Sequence, residues 1–348
     1  MLVGGAAVAA LLLPFAIGAS LTPAAEETGA TEVTRFADPD IVESSGLAVV
    51  DGLLVTVNDS GDAGRVFTVD PASGETVGVT SWSPDPTDVE AVAPAYERGA
   101  PTGEVWVGDI GDNLAARDSV TLLRVPVGRG DQEVQPARYR MVFEDGARDA
   151  ESLLVHPQTG QILVVSKGVL GGAFYLAPEE LSRTAPNVLR QAGPAVGIAT
   201  DAAFFPDGRH LVVRTYGAAV VYSYPDLVEV GSFDLPQQQQ GEAVAVDAAG
   251  DATSLLISSE GADQPVLDVP LPDDLVAQTA PVTTTPSDGA GDAPLVDDPA
   301  VGDGTDADPT IDGTVPWWPL VAVGVVGLVI FGALGAALVR GRRRRPPG

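Results

Sequence analysis

The chain has 348 residues, with 48 acidic against 19 basic side chains, a formal charge of −29, no cysteine and two histidines. Without cysteine there is no disulfide framework, no thiolate zinc site and no thiol nucleophile, and so acidic a chain repels nucleic-acid phosphates. A hydrophobic content of 45% excludes a wholly disordered acidic chain, so charge and apolar residues must be segregated along the sequence.

Residues 1–25 read as a secretory signal. Leu2 to Ile17 is a nearly uncharged Ala/Leu/Val run, followed by the small residues Gly18, Ala19 and Ser20, with cleavage expected before Glu26. No basic leader precedes the run, so either the start falls late or the orienting charge lies elsewhere. An uncleaved anchor helix is the alternative.

Residues 32–275 carry the fold, and they repeat. Five segments open alike, at Glu43-Ser-Ser-Gly-Leu-Ala-Val-Val, Glu90-Ala-Val-Ala, Glu151-Ser-Leu-Leu-Val, Asp201-Ala-Ala-Phe-Phe and Glu242-Ala-Val-Ala-Val. Each begins with an acid and runs into a short apolar strand. A turn (VVDGL, PTGEV, HPQTGQ, FPDGRH, DAAGDA) leads to a second strand (LLVTV, VWVGD, ILVVS, LVVRT, LLISS) and a polar loop to a third (RVFTVD, VTLLRV, AFYLA, VVYSY, VLDV). A fourth strand fits four segments, for example Ala137 to Glu144 and Val228 to Leu235. The opening acids are spaced by 47, 61, 50 and 41 residues, which is the period of β-propeller blades. The fifth segment has three strands, and Glu32 to Ala37 is the spare strand that would complete it and close the ring. The expectation is an all-β propeller of five blades, with six as the alternative. A single β-sandwich would leave the recurring acid without a reason.

Residues 279–316 hold eight aspartates, no lysine or arginine and no aromatic residue before Trp317. That composition reads as an extended, self-repelling linker. Leu320 to Val339 is an uninterrupted apolar stretch whose helix would span about 30 Å, the thickness of a bilayer core. With the interfacial pair Trp317 and Trp318, residues 317–339 read as a single transmembrane helix, followed by the basic tail 340–348 with Arg340 and Arg342 to Arg345. Positive charge stays on the cytoplasmic side, which places everything before Trp317 outside the cell membrane.

In a propeller the connection entering each first strand and the loop between the second and third strands emerge on one face. Glu43, Glu90, Glu151, Asp201 and Glu242 would therefore ring one mouth of the central channel, as candidate ligands of a hard cation such as Ca²⁺. Around them would stand Asn58 and Asp59, the loop Asp109, Asp112 and Asn113, the single lysine Lys167, and Arg214 with Tyr216. Carboxylates so close need a cation, a positive side chain or raised pKa values. Acids at blade entries also serve to accept neighbouring backbone N–H groups, whereas a turn alone does not require the two aspartates and asparagine of GDIGDN. His156 and His210 fall at turns on the opposite face, away from any nucleophile at the rim, and no G-x-S-x-G, H-E-x-x-H or P-loop string occurs.

The strings ESSGLAVV…VNDSGD, DVEAVA…VWVGDIGDN, DAESLLV…ILVVSK and DAAFFPDGRHLVVRTY resemble secreted bacterial β-propellers, loosely grouped with phytase-like, lactonase-like and NHL/WD40-type propellers. The likeness covers about Glu43 to Glu260, with GDIGDN its most specific element. It implies a polar site on one face with Ca²⁺ and, in the phytase-like branch, hydrolysis of phosphoesters by a metal-activated water. Carried over by position, Glu90, Asp109, Asp112, Asn113, Glu151, Lys167 and Arg214 would form that site. Two functions follow as expectations. The first is a membrane-tethered extracellular binding module that presents its acidic face to an envelope ligand or partner protein. The second is a Ca²⁺-dependent phytase-like or lactonase-like hydrolase.

Overall fold

The computed structural model describes residues 29–247 and 252–279. The expected signal segment, nearly all of the linker, the apolar segment 317–339 and the basic tail lie outside the described residues. Among the described residues no helix is long and apolar enough to cross a membrane.

The described chain is all-β and propeller-like, with 21 strands and one short helix. Its strands are β1 (Thr31–Arg35), β2 (Ser44–Val50), β3 (Leu53–Asn58), β4 (Arg65–Val69), β5 (Thr76–Trp82), β6 (Val89–Glu97), β7 (Ala100–Asp109) and β8 (Val120–Pro126). They continue as β9 (Gln132–Val134), β10 (Ala137–Phe143), β11 (Ala150–Val155), β12 (Ile162–Ser166), β13 (Gly172–Leu176) and β14 (Asn187–Ala195). Last come β15 (Asp201–Phe204), β16 (His210–Arg214), β17 (Ala218–Ser223), β18 (Glu229–Asp234), β19 (Gly241–Ala245), β20 (Ser254–Ser259) and β21 (Pro265–Pro270), then α1 (Asp273–Thr279).

Five antiparallel four-stranded meanders account for all but one strand: β2–β5, β6–β7–β8–β10, β11–β14, β15–β18, and β19–β20–β21 completed by β1. β1 pairs antiparallel with β21, Thr31 opposite Asp268, so the two ends of the folded chain share one sheet. The first strands pack in sequence, β2 on β6, β6 on β11, β11 on β15, β15 on β19, and β19 back on β2. An apolar cluster fills each of the five gaps between neighbouring meanders, as where Val57, Val66 and Trp82 meet Val107 and Leu123. Burial follows the sequence pattern. The continuous apolar runs of β2, β11 and β19 are covered on both faces, whereas outer β18 is mostly open.

Two-residue turns close the first hairpins. Asp51 and Gly52 join β2 to β3 with φ of 50° and 75°, the double positive φ of a type I′ turn that matches strand twist. In the second meander Arg98 and Gly99, at 52° and 79°, take that role. The expected turn at PTGEV is therefore corrected, since Pro101 and Gly103 lie inside β7.

Three elements were not expected. β9 adds to β5 in parallel, β10 pairs in parallel with β14 across two meanders, and α1 extends the folded unit to Thr279, beyond the boundary at 275. Leu275 of α1 packs on Gly231, where a Cβ would meet its Cδ2 at 2.8 Å. Leu47, Val92, Leu154, Phe204 and their neighbours line the central channel around a cavity of about 30 Å³, room for about one water.

Candidate functional site

At one end of the channel the five meanders repeat one contact. The residue entering each first strand bonds through its backbone to the residue at the end of the second strand. The pairs are Asp59 N to Glu43 O (3.0 Å), Gly111 N to Asp88 O (3.2 Å), Lys167 N to Asp149 O (3.0 Å), Thr200 N to Arg214 O (2.9 Å) and Glu260 N to Gln240 O (2.9 Å). This puts the entry acids and the second-to-third loops on one face, above the apolar plug.

Of the candidate residues, Glu90, Glu151, Glu242, Lys167, Tyr216 and Asp59 form one electrostatic cluster. Lys167 Nζ lies 3.0 Å from Glu151 Oε1 and 5.5 Å from the centre of the Tyr216 ring. Ser45 Oγ donates to Glu90 Oε2 at 3.2 Å, and Gln240 Nε2 donates to Glu242 Oε1 at 3.1 Å. Glu242 is 2% exposed, and its Oε2 has no hydrogen-bond partner.

Burial and crowding decide the protonation of this mouth. Burial, then the Glu151, Asp59 and Asp88 carboxylates, push Glu90 up to about 10. Burial raises Glu151 to about 7 against the pull of Lys167. Burial with Glu242 and Asp59 raises Glu260 to about 7, and burial also raises Glu242 and Asp88. Burial opposes the Lys167 ammonium, but Glu151, Tyr216 and Glu242 hold its pKa above the ordinary lysine range. The Lys167 ammonium and the buried Arg214 guanidinium, which also acts on Glu242, therefore face more carboxylates than they can neutralise, and some of these stay protonated near neutrality.

The remaining candidates hold the scaffold. Asp201 is fully buried, its Oδ1 accepting Ala202 N and its Oδ2 accepting Val244 N of the next meander, each at 2.8 Å. Arg214 is also fully buried and donates to Ala243 O, to Ser258 O at 2.7 Å and to Gln238 Oε1 at 2.5 Å, while its Nε has no partner. Asp109 accepts Thr87 N and Asp88 N and pairs with Arg117 at 2.7 Å. Asp112 accepts Ala116 N and Arg117 N, and Asn113 is exposed beside it. Asn58 takes Val42 N and Glu43 N on its carbonyl and gives its amide to Asp40 O and Asp62 Oδ2. Glu43 is exposed at the edge of the mouth, bridged through its backbone to Glu260. The histidines lie at the first turns as expected, His156 Nδ1 accepting Gln158 N and Thr159 N.

The GDIGDN loop serves the site through its glycine. A Cβ on Gly111 would stand 2.4 Å from Asp88 Oδ2 and 2.5 Å from Glu90 Oε1, so only glycine lets the loop pass over these carboxylates. Asp88 and Ser45 were not singled out in sequence. The signal for Asp88 was present in the Asp-x-Glu repeated at Asp88–Glu90 and Asp149–Glu151.

As a cation site, the five entry acids do not converge as a set. Among the described residues, the group whose ligand atoms lie within 4.8 Å of one another is Asp59, Asp88 and Glu90. All three offer the hard oxygens that Ca²⁺ prefers, and Glu90 alone belonged to the expected set.

No family model matches the chain, and no curated protein matches it. Among solved structures it is similar to a glucose dehydrogenase, at 11% identity and a TM-score of 0.42, over 70% of this chain and 99% of that one. A second glucose dehydrogenase gives 12% and 0.41 over 70% and 99%. The PQQ-bound form of an aldose sugar dehydrogenase from Streptomyces coelicolor gives 11% and 0.39 over 71% and 99%. Likeness at this level assigns neither an activity nor a cofactor to the chain.

Proposed function

We propose that this chain is a five-bladed β-propeller whose acidic mouth captures a positively charged ligand, displayed outside the cell by the apolar segment 317–339. Five meanders, five intervening apolar clusters and the β1–β21 closure support the blade number. The observation that carries the binding reading is the buried Glu242 Oε2, without a hydrogen-bond partner, among carboxylates that outnumber the Lys167 ammonium and the buried Arg214 guanidinium acting on them. An unpartnered buried carboxylate oxygen is costly, and a ligand cation would supply the missing contact. Below the mouth the apolar channel lining leaves a cavity of only about 30 Å³, which favours a ligand held at the mouth.

Isothermal titration of the full chain with calcium chloride and, separately, with 1,5-diaminopentane tests this reading. At least one should bind, and Glu242→Gln should weaken it by about tenfold or more. Binding of neither, or affinity unchanged in the variant, would contradict it. The membrane reading has its own test, because the chain has no cysteine. A cysteine replacing Asp303 should label with an impermeant maleimide on intact cells, and one replacing Arg342 only after lysis.

The second reading, a Ca²⁺-dependent phytase-like or lactonase-like hydrolase, is favoured by the Asp59–Asp88–Glu90 corner. There the three carboxylates would hold the ion, whose chemistry is to activate a water. Turnover on phosphoester and lactone panels that requires Ca²⁺ and is lost in Asp59→Asn would support it. No turnover with Ca²⁺ bound leaves the module without catalysis.

A further inference from the structure

The loops around the acidic mouth carry an apolar rim. Nine large apolar side chains are exposed among the described residues, and six of them, Val42, Leu114, Val169, Leu170, Ile198 and Tyr216, lie on mouth-side loops. The other three, Val33, Val188 and Val228, sit on β1, on β14 and just before β18. Leu114 is 88% exposed, Val169 82% and Leu170 102%. Apolar exposure gathered on one face marks a surface that is covered in use.

The rim is continuous with the mouth. Ile198 N donates to Gly168 O at 3.0 Å, which sets Ile198 beside the loop bearing Val169 and Leu170. Asp149 joins two more loops, its O accepting Lys167 N and its Oδ1 accepting Asp112 N at 2.9 Å, and so brings the Leu114 loop alongside. The Tyr216 ring reaches the Lys167 ammonium. The Val169–Leu170 tip is also built, not slack. A Cβ on Gly168 would meet Gly171 O at 2.3 Å and one on Gly172 would meet Ser166 O at 2.2 Å, so glycine closes the loop on itself and holds the two side chains outward.

We propose that the mouth and its apolar rim together dock a segment of a partner protein in which a lysine or arginine is flanked by apolar residues. The cation enters among Glu151, Glu242 and Glu90, and the flanking side chains cover Val169, Leu170 and Ile198. This rests on the cation-binding reading and adds the class of partner. Charge complementarity chooses the occupant: anionic lipid headgroups would be repelled by the same carboxylates, and a second copy of this acidic chain would bring mainly like charge.

The test uses the full chain in detergent and a labelled, end-blocked peptide, GLLKLLG, with two controls. One control has norleucine for lysine, and the other has serine for every leucine. The expected result is binding of the parent peptide, with each control weaker by about tenfold or more. The V169S/L170S variant should lose about tenfold in peptide affinity while its affinity for calcium or 1,5-diaminopentane stays unchanged. Equal peptide affinity in that variant, or a serine control as tight as the parent, overturns the proposal. If small cations bind and the peptide does not, this inference fails and the cation reading stands; if neither binds, both fail. A polarity-sensitive dye on a single cysteine replacing Asn113 should shift to the blue when the peptide is added. A shift on concentrating the chain, or on adding anionic liposomes without peptide, would give the rim to a second copy or to lipid and overturn the proposal.

Discussion

Lys167 Nζ stands 3.0 Å from Glu151 Oε1, and the pair sits at the centre of a mouth that also receives Glu90, Glu242 and Glu260. Lys167 is the only lysine in the chain, and its position makes it a fixed counter-ion. Replacing it should expose how much of the carboxylate crowding it offsets. Lys167→Met is expected to destabilise the fold by about 1–3 kcal/mol at pH 8, less than a fully buried pair because the ammonium keeps some solvent. At pH 5, where more of the carboxylates are protonated, the loss should shrink. Urea denaturation at the two pH values measures the difference, and an equal loss at both would separate Lys167 from the acids.

The pH dependence of stability follows from the raised carboxylates. A carboxyl group whose folded pKa exceeds its unfolded value binds more protons when folded, so its contribution is present at low pH and is lost as pH rises. For Glu151 and Glu260 the loss runs from the ordinary 4.5 up through about 7, and for Glu90 up to about 10. The mouth therefore destabilises the fold progressively from pH 5 to 9. Glu90→Gln should flatten that slope and raise stability at pH 8 by about 1 kcal/mol or more, read as Tm against pH for both chains.

Gly111 lies against the Asp88 and Glu90 carboxylates with no room for a methyl group. Gly111→Ala should cost about 1–3 kcal/mol through overpacking and should displace the Asp59–Asp88–Glu90 corner. Unfolding with and without calcium measures both effects, and an undisturbed variant would show that the loop can lift freely.

Asp201 shares its repeat position with Glu90, Glu151 and Glu242, but both its carboxylate oxygens accept backbone N–H groups. Asp201→Ala leaves Ala202 N and Val244 N without their acceptor, for an expected loss of about 1–3 kcal/mol. Cation affinity in the folded variant should match that of the parent chain. A loss of affinity with no change in stability would return Asp201 to the site.

The meanders were legible because each first strand carries an acid, small residues and an apolar run, and because Asp51–Gly52 is a hairpin signal that the backbone obeys. Closure by residues near Glu32 was legible from the missing fourth strand. What sequence did not separate was scaffold from site, since the same residue types do both. Asp109, Asp112 and Asn58 looked like ligands, yet Asp109 and Asn58 accept backbone N–H groups that only the fold brings near, and Asp112 accepts those of its own loop. Arg214 looked like a rim cation and is a buried tie between meanders. The parallel pairings of β9 with β5 and β10 with β14 join strands distant along the chain, and nothing in local periodicity encodes them.

A cation held by the carboxylates of the mouth would be seen through the protons it displaces. Binding a cation among groups that retain protons near neutrality must expel some of those protons. Titration calorimetry at pH 7 in buffers of different ionisation enthalpy counts them. The expected result is a net release of protons on binding, smaller in Glu90→Gln and in Glu151→Gln. Binding with no proton release across pH 6 to 8, or release unchanged in both variants, would place the cation elsewhere and contradict the account.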